Sequence, residues 1–191
     1  MNTLSQFKEI EVRFLEVNKE DLIKRLLDLG AIDHGEKLLK ETIFYHKDKD
    51  WATEKKFVRI RDNGGEIHMT YKKHVGDGTS LEDVDEIEIT VSDNTSAHKF
   101  LEAMDLCPYR KQEKRRHTFT LDDIVFDFDS WPQIPTYMEI EGADEKKLKD
   151  MAEKIGLDWQ NVHYENAKKV IENVYNIPVG TLSHFTFDKI E

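Results

Sequence analysis

The sequence predicts an α+β protein whose sheet is largely antiparallel. Three observations carry this. Segments that alternate apolar and polar residues recur from "KEIEVRFLEV" at 8–17 to "YMEIEG" at 137–142, and a strand sends successive side chains to opposite faces. Asn63-Gly64-Gly65 and Asp122-Asp123 read as hairpin turns between such segments. Between the strands lie runs with apolar residues at helical spacing, bounded by capping residues.

In chain order, the opening strand places Glu9, Glu11 and Arg13 on one face and Ile10, Val12 and Phe14 on the other. Asn18 then caps "KEDLIKRLLDL", with Asp21 in the first turn and Gly30 at its end. Two strands follow, "ETIFYHK" (41–47) and "KKFVRIRD" (55–62), joined by the polar loop "DKDWATE". The Asn-Gly-Gly turn leads into "EIHMTYKK" (66–73). The loop "GDGTSLED" comes next, then "VDEIEITV" (84–91). Ser92 or Asp93 opens a second helix toward Leu106, with Ala97, Phe100, Leu101 and Met104 inward. "KRRHTFTL" (114–121) and "IVFDFD" (124–129) flank Asp122-Asp123, and "YMEIEG" is the last clear strand. Asp144 opens a third helix, closed by Gly156, and a fourth spans about 162–175. The tail "TLSHFTFDKIE" has only weak strand character.

The chain of 191 residues suits one domain, 1–191, with enough length to bury a core. A net charge of −11 argues against a nucleic-acid or anionic-membrane surface, though a pocket can still be locally basic. Cys107 is the only cysteine, so neither a disulfide framework nor a thiolate zinc site is available. Its neighbours Leu106 and Pro108 suggest a structural thiol. There is no signal region and no membrane-length apolar run, so the default compartment is the cytoplasm.

The ionic faces are the informative feature. Arg59 and Arg61 alternate with Val58 and Ile60; Glu86 and Glu88 alternate with Ile87 and Ile89. Lys72 shares a face with Thr70 and His68, and Lys114 and Arg116 share one with Thr118. Asp127 and Asp129 alternate with Phe126 and Phe128, as Glu139 and Glu141 do with Met138 and Ile140. Any one such strand is ordinarily just a wet face. As a set they read differently. Paired carboxylates on one face repel unless a cation lies between them, and paired cations repel unless an anion does. Both kinds together suit a metal-bound polyphosphate. Periodicity leaves open whether the faces line a tunnel or an open sheet.

In order along residues 8–175, these motifs resemble the CYTH family of triphosphate tunnel metalloenzymes. "EIEVR" is similar to the family's opening Glu-x-Glu-x-Lys, with Arg13 in the last place. "RIR" resembles its paired arginines, and Lys72 its next-strand lysine. Glu86 and Glu88 resemble its middle Glu-x-Glu, and "KRR" at 114–116 its Lys-x-Arg strand. Asp129 before Glu139 and Glu141 resembles its closing acidic set. The resemblance implies a single CYTH-like domain: an eight-stranded antiparallel β-barrel, open at both ends, with a charged interior and helices packed outside.

It also implies roles. Glu9, Glu11, Asp129, Glu139 and Glu141 would hold Mg²⁺ or Mn²⁺, being hard oxygen donors. Arg13, Arg59, Arg61, Lys72, Lys114 and Arg116 would grip phosphate, with Glu86 and Glu88 orienting them or touching metal; Glu9, Glu11, Arg61 and Lys72 would bear most directly on turnover. Neutralising Glu11 or Glu139 should abolish turnover and leave the fold intact, because like charges are relieved. The substrate is a small triphosphate: inorganic triphosphate, thiamine triphosphate or ATP. Hydrolysis is the leading reaction. Cyclisation of ATP to cyclic AMP and pyrophosphate is the alternative, and a non-catalytic polyphosphate or nucleotide binder the second. Neither nucleic acid nor membrane is expected as a partner, and a homodimer is left open. Trp131, beside Pro132, reads as a loop-shaping residue that an adenine ring could also stack on. The histidines show no metal-binding spacing; His68, on the Lys72 face, is the one of interest.

Overall fold

The computed structural model describes residues 10–75 and 83–191, with the side chains of 74, 75 and 83–85 outside the description. Glu9 and most of the "GDGTSLED" loop thus lie outside the described residues. Nine strands and four helices follow in the order β1 (Ile10–Phe14), α1 (Lys19–Asp28), β2 (Ile32–His46), β3 (Lys56–Asp62), β4 (Ile67–Val75), β5 (Asp83–Val91), α2 (Asn94–Ala103), β6 (Leu106–Leu121), β7 (Ile124–Ser130), β8 (Tyr137–Gly142), α3 (Glu145–Lys154), α4 (Ala167–Asn173) and β9 (His184–Phe185).

The turns are made as their residues require. Asp62 Oδ1 accepts from the backbone N–H of Gly64 and Gly65 at 2.8 and 2.9 Å, and both glycines have positive φ, which costs them little. Asp122 adopts φ 54° in the two-residue link between β6 and β7. Asn18, Asp93 and Asp144 each accept a hydrogen bond from a backbone N–H in the first turn of α1, α2 and α3.

Eight strands form one antiparallel sheet in the order β1-β8-β7-β6-β2-β3-β4-β5, and the short β9 pairs with β6 in parallel. Among the described residues no ladder joins β5 to β1, so hydrogen bonds do not close the sheet. β2 and β6 extend well beyond the predicted segments, pairing from Ile32↔Thr120 to His46↔Leu106. The alternation fades in the β2 extension, where the register shifts between Asp33 and Glu36 and apolar Leu38 and Leu39 stand side by side. The fourth helix is shorter than predicted, with a 3-10 turn at Trp159–Asn161 before it.

Helices cover the apolar face. α1 and α3 lay Leu22, Leu26, Leu148 and Ala152 over Val12, Phe14, Phe126, Phe128, Met138 and Ile140. α2 lays Ala97 and Leu101 over Phe44, Val58 and Ile60. The edge strand β5 lies beyond this cover, so Ile87 and Ile89 are exposed and not packed as their alternation suggested. Phe100 of α2 and Met104 at its C-cap, expected inward, are exposed as well. A third cluster joins Trp131, Ile134 and Tyr137 to Ile171 of α4 and to Val179 and Phe185 of the tail. Cys107 is exposed, which removes the structural-thiol expectation, although Leu106 beside it is buried.

Candidate active site

The face opposite the helices is ionic, yet much of it is as dry as the core. Arg13, Glu41, Arg59, Lys114, Asp127, Asp129 and Glu139 are all buried. Isolated charges do not survive such burial; each needs a partner. Strand register supplies partners. Arg13 lies opposite Glu139 across β1–β8 and Arg116 opposite Asp129 across β6–β7, while the like charges Asp127 and Glu139, opposite each other across β7–β8, are both met by Arg116.

On these strands the result is a closed ionic lattice. Arg13 Nε donates to Glu139 Oε1 at 2.9 Å, Nη1 donates to the Glu165 carbonyl at 2.6 Å, and Nη2 lies 2.8 Å from Glu11 Oε1. Arg116 grips both oxygens of Asp129 at 2.7 and 2.6 Å, reaches Asp127 at 2.6 Å, and also binds Glu139. Lys114 Nζ donates to Asp129 Oδ2 at 2.6 Å and sits over the Trp131 ring, 5.2 Å from its centre. Burial alone would raise the Glu139 carboxyl, but Arg13, Arg116 and Lys114 pull it well below the usual range. Glu11 goes the other way. Removal from water raises it, against the pull of Arg13, and the negative charge of Glu139 adds to the rise.

On β2–β5 the lattice is looser. Glu41 Oε1 accepts from Arg61 Nε at 2.6 Å. Lys72 pairs with Glu86 at 2.7 Å across β4–β5, and His68 Nδ1 is 3.1 Å from Glu88. Thr70 Oγ1 donates to Glu88 Oε2 at 2.7 Å. Arg59 is different. Its nearest carboxylate oxygen, on Glu41, is 3.6 Å away, and Thr70 Oγ1 is 3.5 Å away. Its Nε is buried with no hydrogen-bond partner among the described residues. Burial lowers its pKa, because removal from water disfavours the charged form.

All the predicted site residues that fall within the described region lie on this one face, spread over β1 and β3–β8. The sequence reading missed Glu41, Gln112 and Tyr137, and noted Thr70 only as sharing the Lys72 face. Glu41 gave no signal because its neighbours on the same face, Leu39 and Ile43, are apolar. Asp127, noted only for its alternation, is bound to Arg116 and accepts from Thr118. Trp131 is not open to a purine: Phe185 stacks on it at 5.9 Å and 18°, Lys114 sits over the ring, and its Nε1 donates to the Tyr137 hydroxyl at 2.8 Å.

For a divalent metal the donor chemistry fits. The negative charges of Glu11 and Glu139 oppose each other, a repulsion that a cation would relieve, and Glu141 lies opposite Glu11. Among the described residues, no three carboxylate, imidazole or thiol groups already converge on a single metal position.

Comparison with known proteins agrees with this geometry. Residues 8–173 match the CYTH domain, and the chain belongs to that family. It is 24% identical over 150 residues, 76% of this chain and 81% of the other, to a Methanocaldococcus jannaschii protein named "Putative adenylate cyclase". The PH1012 protein of Pyrococcus horikoshii superposes with a TM-score of 0.66 at 25% identity, over 83% of this chain and 96% of that one. A Hippeastrum protein, called a "putative adenylyl cyclase" with a dominant triphosphatase activity, superposes with a TM-score of 0.61 at 14% identity, over 88% and 95%. The fold is thus the family's α+β tunnel barrel, eight antiparallel strands with helices outside. No helix among the described residues is long and apolar enough to cross a membrane.

Proposed function

We propose that the protein hydrolyses a small triphosphate within the ionic face, with a divalent metal. The observation that carries this is Arg59: a buried guanidinium with an unpartnered Nε, on the same face as Arg13 and Lys114, whose charges are already met by carboxylates. An anion is the group that would complete it, and phosphate matches a guanidinium's planar donors. Lys72 and Arg61 flank it on the same face. Lys114 and Arg116 hold carboxylates that phosphate oxygens would exchange with.

Glu11, Glu139 and Glu141, with Glu9, would hold Mg²⁺ or Mn²⁺, which when bound polarises a phosphoryl oxygen and acidifies water. The chain's own contribution is charge and orientation. In hydrolysis, water oxygen bonds to the terminal phosphorus, the bridging P–O bond breaks, and negative charge gathers on the departing diphosphate; fixed guanidinium and ammonium groups oppose that charge without reorganising.

The occupied faces of Trp131 favour a substrate without a base. Cyclisation would require a pocket holding adenosine with its 3′ hydroxyl in line with the α-phosphorus, and the Trp131 ring is already covered by Phe185 and Lys114. The test is one incubation series with Mg²⁺ or Mn²⁺ and inorganic triphosphate, thiamine triphosphate or ATP, with products separated by chromatography. Inorganic triphosphate should be cleaved with kcat/KM at least equal to that for ATP. Mainly cyclic AMP and pyrophosphate from ATP, with inorganic triphosphate left intact, would replace this reading with the cyclase one.

A further inference from the structure

We propose that Glu41 is a positioning residue for the arginine pair: it anchors Arg61 and so leaves Arg59 as the donor that grips substrate. The inference rests on the triphosphate reading above. Glu41 is 4% exposed and lies opposite Arg61 on one side and Gln112 on the other. One carboxylate oxygen accepts from Arg61 Nε at 2.6 Å and the other from Gln112 Nε2 at 2.5 Å. Both oxygens are thus taken. Arg59 Nη1 at 3.6 Å feels the charge without a short hydrogen bond.

The arrangement solves a geometric problem. Arg59 and Arg61 project from one face two residues apart, and two guanidiniums so placed repel. A carboxylate between them offsets the repulsion, but if it bound both it would compete with phosphate for both. Pinned by Arg61 and Gln112, it binds only one. Burial would raise the Glu41 carboxyl, but Arg61, Arg59 and Lys114 hold it well below the usual range, so it stays anionic while substrate turns over. As an anion it is no phosphate ligand itself. Its effect on the reaction runs through the arginines.

The experiment compares wild type, Glu41→Gln and Gln112→Ala. Phosphate release from inorganic triphosphate gives kcat and KM, calorimetry gives binding, and ¹H–¹⁵N spectra without substrate report arginine Nε–H groups. Glu41→Gln should lower kcat about 10-fold or more, since a small misplacement of a charge-stabilising group is costly. KM should stay level or fall, because a like charge near the phosphates has gone. An Arg61 Nε–H resonance protected in wild type, and assigned by its absence in Arg61→Lys, should be lost. Unchanged kcat, a raised KM at unchanged kcat, or a persisting resonance overturns the proposal. If Glu41→Gln does not fold, Gln112→Ala decides: a smaller drop in kcat at level KM supports it, and wild-type kinetics overturn it. A wild type that neither binds nor cleaves triphosphate defeats the functional reading, while the resonance still reports whether Glu41 anchors Arg61.

Discussion

On β1, β7, β8 and the part of β6 beside them, Arg13, Lys114 and Arg116 each have a carboxylate within 3 Å, while Arg110, toward the start of β6, is held by Gln112 and the Val179 carbonyl. Arg13 has Glu139 and Glu11, Lys114 has Asp129, and Arg116 has Asp127, Asp129 and Glu139. On β2–β5 the same residue types are arranged more sparsely, Glu86 and Glu88 are exposed, and Arg59 has no short partner. The first half is charge-saturated and holds its own shape. The second keeps binding capacity in reserve. Burying a cation without full compensation lowers stability, and the cost is acceptable where a ligand will supply the missing charge.

The largest test of this contrast is Glu139→Gln against Glu11→Gln. Both should abolish turnover. Glu139→Gln should also destabilise the fold by roughly 3–5 kcal/mol, as expected when one member of a buried ion pair is removed, because Arg13 and Arg116 lose their shared partner. Glu11→Gln should unfold in urea at the wild-type midpoint or above it, since the folded state already disfavours the Glu11 charge. The sequence alone put the two in one class; equal midpoints for the two variants would restore that view.

Next come the arginines. Arg59→Ala should weaken inorganic triphosphate binding about 10-fold or more, from the loss of roughly 1.5–3 kcal/mol of charge-assisted contact, with little change in unfolding. Arg61→Ala should lower stability as well, because it strands buried Glu41. Calorimetry and urea unfolding of both variants separate the roles; a stability loss in Arg59→Ala equal to that in Arg61→Ala would erase the distinction.

Acid should act on both halves through depressed carboxyls. Glu139 and Glu41 are held below their ordinary values by neighbouring cations. Their contribution to stability is therefore present above the unfolded-state pKa of about 4.3 and drains away as pH falls below it. Glu11, raised in the fold, has the opposite sign: its contribution is present at low pH and lost as pH rises through its folded value. The gap in urea midpoint between wild type and Glu41→Gln should narrow between about pH 7 and about pH 3. A constant gap would mean that the Glu41 charge does not matter to the fold.

The smallest expected effect is at the end of the face. Trp131→Phe keeps the ring under Lys114 and beside Phe185 but removes the donor to the Tyr137 hydroxyl. It should cost about 1–2 kcal/mol and leave KM for inorganic triphosphate unchanged. A raised KM for ATP alone would return Trp131 to a role in base recognition.

Much of this was legible from periodicity. The Glu-x-Glu, Arg-x-Arg and Lys-x-Arg pairs stood out because each ionic residue alternates with an apolar one. The Asn18, Asp93 and Asp144 caps were legible because a capping carboxylate or amide acts within one turn. Glu41 was not legible: on its strand the face toward the charges is otherwise Leu39 and Ile43. The exposure of Ile87 and Ile89 was hidden too, because alternation marks two faces without saying whether a helix reaches either.

By itself the sequence determined the strand faces, the turns, the helix caps and the family to which they belong, since all of these depend on residues close together in the chain. Only the tertiary structure decided which charges neutralise one another. Arg13 meets Glu139 across 126 positions and Gln112 meets Glu41 across 71. Those pairings follow from strand order and register. Whether a buried charge is paired or left waiting for a ligand depends on groups within a few ångströms in space, however distant they are in sequence.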